Sequence, residues 1–139
     1  MLLKRYTAGL TLLLATAPLM ALEVETLSQT QRSWEGSQFN YPGGSPEVTI
    51  QRIRLVGGEK TAWHCHPVPV FGYMLQGRLQ VQTESGQQHV FKPGDAVVEV
   101  MNGWHQGVAL DGPVEIVVFY AGEVNRKNTV LRSSGKSCG

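Results

Sequence analysis

The sequence predicts an all-β domain, either a sandwich or a small barrel. Eight or so short stretches rich in β-branched and aromatic residues recur at near-regular spacing. Sixteen glycines and seven prolines in 139 residues supply turns between them. Beyond residue 21, no stretch places apolar residues at the helical period. A chain of this length suits one domain with a core of ordinary size.

The elements follow in order. Lys4 and Arg5 give residues 1–21 a basic start, and Ala8 to Met20 is apolar apart from Thr11 and Thr16. Small residues close the run near Ala21, as in a secretory signal peptide cleaved after that residue, although Leu19 stands where a small side chain is preferred. The run is short for a bilayer span. Residues 22–46 are polar, with Trp34, Phe39 and Tyr41 as scattered anchors. They predict an N-terminal arm that packs on the barrel or on a second subunit.

The barrel is expected over residues 47–121. Glu47 to Val56 alternates, with Val48, Ile50, Arg52 and Arg54 on one face and Thr49, Gln51, Ile53 and Leu55 on the other. Gly57-Gly58 is a turn, and a short strand carries Trp63 to His66. Val70 to Leu75, Leu79 to Thr83 and His89 to Phe91 are strands separated by turns at Gly77 and Ser85-Gly86. The turn at Lys92-Pro93-Gly94-Asp95, with Asp95 stabilising it, leads into a strand over Ala96 to Met101. Asn102-Gly103 turns into His105 to Leu110, and Asp111-Gly112-Pro113 into Val114 to Tyr120. Residues 122–139 are polar and are expected to form a flexible C-terminal tail.

Charge excludes some partners. Twelve basic residues less Lys4 and Arg5 leave ten after signal cleavage, against eleven acidic ones. Such a near-neutral chain offers no electrostatic footprint for nucleic acid, nor for a membrane surface. The expected location is secreted or periplasmic. An oxidising compartment would allow Cys65 and Cys138 to pair, but the segment SSGKSCG suggests no fixed geometry for a bridge. Cys65 is therefore expected as a small apolar filler or a partly shielded thiol.

His64 and His66 carry the chemistry. Two residues apart on a strand, their side chains share a face, with backbones separated by about 6.6–6.8 Å. Both rings can then bend onto one ion, while Cys65 points away. On a helix the same spacing would put the rings about 200° apart. Pro67 and Pro69 favour the strand.

With the turn at Gly94 and with His105 added, the pattern resembles the cupin superfamily, a double-stranded β-helix or jelly-roll barrel. Gly58, His64, His66 and Gly77 stand in register with its first motif, and Gly94 and His105 with its second. Val70 occupies the place of the usual glutamate ligand. Val100, Asn102 and Ala109 replace the usual proline, glycine and asparagine. The resemblance spans roughly residues 48–120 and implies a metal held by His64, His66 and His105. This neutral set favours Fe, Zn, Ni or Cu over Mn or Mg and leaves coordination positions open. Glu99, in an otherwise apolar strand, is the candidate catalytic residue: a general base, a partner orienting a histidine, or a fourth ligand. Met74 and Gln76 share the parity of Val70 and are expected to line the cavity. Trp63 and Trp104 are expected to face away from it, and His89 to be exposed.

The resemblance implies a divalent-metal site acting on a small molecule, dioxygenase-like first and isomerase-like second. A non-catalytic module holding a metal or small ligand is the alternative. It also makes a homodimer through edge strands an expectation.

Overall fold

The computed structural model describes residues 22–138, so the expected signal peptide lies outside the described residues. Among the described residues there are nine strands and one short 3-10 helix. They are β1 (Pro46–Leu55), β2 (His64–Cys65), β3 (Val70–Gln76), β4 (Leu79–Thr83), β5 (Gln88–Phe91), β6 (Ala96–Val98), β7 (His105–Ala109), β8 (Val114–Glu123) and β9 (Val130–Leu131). A four-stranded sheet runs β1-β8-β3-β6 and a five-stranded sheet runs β5-β4-β7-β2-β9. All strand pairs are antiparallel. The two sheets form the jelly-roll barrel that the sequence predicts.

The core lies between the sheets because each strand alternates. In β8, Val114, Ile116, Val118 and Tyr120 are buried, while Glu115, Val117 and Phe119 face the other way. Leu79 and Val81 of β4 meet them from the opposite sheet. Each such aliphatic side chain contributes roughly 1.5–3 kcal/mol by leaving water. In β1 the mixed faces resolve plainly: Ile53 and Leu55 turn inward, and Val48 and Ile50 stay exposed. Gly77 turns β3 into β4 at φ 76°, where a Cβ would strike the Pro113 carbonyl oxygen, so the turn requires glycine. At the turn between β5 and β6 the Asp95 carboxylate accepts a hydrogen bond from the Lys92 amide at 2.8 Å.

The arm packs on its own barrel at two places. Trp34 meets Phe91 edge-on at 6.4 Å, and its amide donates to Val98 O. Phe39 meets Phe71 at 5.6 Å.

Two expectations fail at the other end of the chain. The segment after Gly122 does not fray: β8 runs to Glu123, and β9 pairs with β2 through His64↔Leu131 and Cys65↔Val130. Cys65 is not a free filler thiol either. It is bonded to Cys138 across a Cα–Cα distance of 6.0 Å. The two corrections share one physical reason. Val130 is buried against the barrel and Cys65 is fully buried beneath this segment, so a polar stretch is anchored by one apolar residue and one covalent bond.

Candidate metal centre

The strand register builds the site. His64 in β2 lies directly opposite His105 in β7, and His66 follows on the same face of the chain. His66 also bridges to Met101, and its carbonyl accepts from the amide of Asn102, which sits at φ 60°. That left-handed residue turns the chain into β7 and so sets the direction of His105. The ring centroids of His64, His66 and His105 lie 4.4 to 5.0 Å apart. One nitrogen from each falls within 4.8 Å of those of the other two.

The hydrogen bonds decide which nitrogens are free. His64 Nδ1 lies 2.7 Å from Ala62 O, His66 Nδ1 2.9 Å from Asn128 O, and His105 Nδ1 2.8 Å from Gly103 O. A carbonyl oxygen only accepts, so each Nδ1 carries the proton and donates it. Each Nε2 is left with its lone pair. Burial opposes a charge on His66, whose pKa is pushed down to about 3 by desolvation and then by His105 and His64. The His64 pKa is also lowered, first by burial and then by His105.

His105 Nε2 and Glu99 Oε2 are both buried without a hydrogen-bond partner, and they face each other at 3.8 Å. That separation is too long for a hydrogen bond. Two orphaned polar atoms beside converging lone pairs fit a bound cation. Glu99 thus points inward. It lies just beyond the end of β6, and its amide donates to Val70 O at 2.9 Å. The carboxylate therefore stands beside Val70, the position where the cupin motif usually carries its glutamate.

A cavity of about 250 Å³ opens onto these groups between the sheets. Its walls are mostly apolar and include Leu55, Val70, Val81, Ile116 and Val118. Trp63 and Trp104 are half-buried outside it, and His89 is exposed, as expected. Met74 and Gln76 do not line it, contrary to expectation. Met74 keeps the inward parity of Val70 but packs into the core, and a register shift after it breaks the alternation of β3 and leaves Gln76 exposed.

Sequence reasoning missed Tyr120, Thr129 and Leu131, which also line the cavity. Tyr120 shares the inward parity of Ile116 and Val118 and could have been found by it. Its ring lies 5.7 Å from that of His66, and burial raises its pKa. Thr129 Oγ1 lies 3.3 Å from His66 Nδ1. Nothing in the local pattern marks Thr129 or Leu131, because only the return of the tail brings them here.

Residues 51–120 match the family described as a cupin domain. The chain belongs to the cupin family. Its fold is similar to that of a DMSP lyase from Ruegeria pomeroyi, at 21% identity and TM-score 0.54, over 60% of this chain and 42% of the lyase. It is similar to a cupin-like protein from Thermotoga maritima, at 19% identity and TM-score 0.53, over 60% and 63% of the two chains. A Klebsiella pneumoniae protein with a double-stranded β-helix domain aligns at 16% identity and TM-score 0.53, over 66% and 83%. This cupin spans less than half the length of the lyase. At these identities the likeness is one of fold alone. No curated protein matches the chain.

Proposed function

We propose that this cupin holds one divalent transition ion on the Nε2 atoms of His64, His66 and His105 and engages a small molecule in the cavity above them. The observation that carries this reading is the set of three Nδ1–H groups tied to carbonyls, which aims three free lone pairs at one place. Imidazole donors favour Fe, Zn, Ni or Cu over Mn or Mg. An ion bound there would supply Lewis-acid polarisation of an oxygen ligand. Asn128 and Thr129 orient His66, and the walls around the ligand are mostly apolar. Glu99 is placed to hold or accept a proton beside the reacting centre.

Oxidation of the dioxygenase type is the first activity to seek, and isomerisation the second. A binding module without turnover is the alternative, and one observation favours it. Apart from the histidines, Glu99 and Tyr120 are the only titratable side chains among the described residues lining the cavity. Secretion is part of the same reading, supported by a disulfide suited to an oxidising compartment.

Metal content after mild purification tests the centre. The wild type should carry stoichiometric metal, and the double variant His64→Ala/His105→Ala should lose it. Low metal content that the double substitution leaves unchanged would refute the centre. Oxygen uptake by the iron-loaded protein with diols, thiols and diketones would then separate enzyme from binder.

A further inference from the structure

The charges around the cavity point to its ligand. Among the described residues lining it there is no lysine or arginine, and Glu99 is the one carboxylate. The cations next to the walls are turned away. Arg52 and Arg54 flank the wall residue Ile53 but meet Glu115 at 3.3 and 3.0 Å on the other face. Arg132 follows the wall residue Leu131 and pairs with Glu84 outside the cavity at 2.5 Å. The volume of about 250 Å³ corresponds to roughly eight water molecules in the liquid.

We infer that the ligand of this cavity is a small, apolar-bodied molecule with a single negative charge on a metal-chelating oxygen head, and that dicarboxylates and phosphorylated sugars are excluded. The inference rests on the metal centre proposed above and goes on to name what the centre accepts. A divalent ion beside one carboxylate balances one further negative charge. A second anionic group would sit against Val81, Ile116 or Val118 with no lysine or arginine among the described lining residues to meet it, which is the costly way to bury charge. A methyl or short alkyl group there instead gains contact and loses water.

A matched pair of chelators tests this on the cobalt-loaded protein, read by the visible absorption of the ion. Acetylacetone binds as a singly charged enolate with methyl ends, while malonate presents the same bite with two charges. Acetylacetone should perturb the spectrum at a concentration at least about tenfold lower than malonate. Leu131→Lys places an ammonium at the mouth, where residue 131 is 47% exposed and a lysine is tolerated. This variant should gain about tenfold for malonate and not for acetylacetone. If cobalt binds but both chelators titrate alike, the ligand class is wrong and the metal centre stands. No gain for malonate in Leu131→Lys also overturns the ligand class, because charge then does not set the preference. If cobalt does not bind, the centre falls and this inference with it.

Discussion

Replacing both cysteines by alanine, Cys65→Ala/Cys138→Ala, removes the bond that pins the segment after β9 to β2, the strand of His64. Alanine is preferred to serine because residue 65 is fully buried and a hydroxyl there would lack a partner. The cross-link joins residues separated by 73 positions. In the chain-entropy account, a loop of that length restricts the unfolded ensemble by about 4 kcal/mol. With a urea dependence of about 2 kcal/mol/M, the unfolding midpoint should fall by about 2 M. A shift below about 0.5 M would refute the claim that the bond restrains the unfolded chain.

A second effect separates this bond from a remote staple. Asn128 and Thr129 hold His66 Nδ1, Leu131 pairs with His64, and the bond closes the same segment. Loosening it should weaken divalent-ion binding by about 10–100-fold, the usual effect of disturbing groups that orient a metal-binding histidine. Isothermal titration with Zn(II), at a urea-free temperature where the variant is folded, measures this. Unchanged affinity with a lowered midpoint would mean that the tail stabilises the fold without organising the site.

Three further predictions follow from the site. Val70→Glu should tighten Mn(II) binding by about tenfold, because it restores an oxygen ligand in the cavity wall; no gain in a paramagnetic-resonance titration would mean that position 70 does not face the ion. Glu99→Gln should weaken Zn(II) binding by about 10–100-fold through loss of the neighbouring negative charge, and equal titration curves would remove Glu99 from the centre. The metal-free protein should lose stability in acid: folded His66 resists protonation until about pH 3, whereas the unfolded chain takes the proton near 6.5, so stability present at neutral pH declines as pH falls through that window. By pH 5 the loss from this ring is about 2 kcal/mol, and a His66→Gln protein with the same acid loss in urea titrations would contradict it.

The local part of the fold was legible because it depends on alternation. The alternation of Glu47 to Val56, the turn at Gly77 and the shared face of His64 and His66 all follow from neighbours in sequence. The register that sets His64 across from His105 is a long-range pairing, and only the resemblance to cupins anticipated His105. The tail was illegible for the opposite reason. Its composition is that of a solvated loop, and its order comes from a cross-link and from two residues paired with β2, neither of which leaves a periodic trace. The fault in parity at Gln76 has a third cause: a bulge shifts the register between Met74 and Gln76, and period-two counting cannot see it.

The missing glutamate shows how a motif and a site can disagree. Read along the chain, Val70 removes the only carboxylate that the cupin pattern provides. Read across the barrel, Glu99 is bonded through its backbone to residue 70, and its side chain enters the same cavity. Residues 70 and 99 are far apart in sequence but adjacent in space, so a carboxylate can change strands without leaving the wall. The shift is not neutral. From its new place Glu99 reaches to within 3.8 Å of His105 but is not part of the tight cluster formed by the three imidazole nitrogens. A carboxylate so placed is better suited to act beside a ligated ion, on a proton or on a neighbouring ring, than to duplicate the lost donor. The pair of substitutions at 70 and 99 distinguishes these roles: if Val70→Glu rescues ion binding in a Glu99→Gln background but not turnover, Glu99 has work of its own. Full rescue of both would make it a ligand that merely moved.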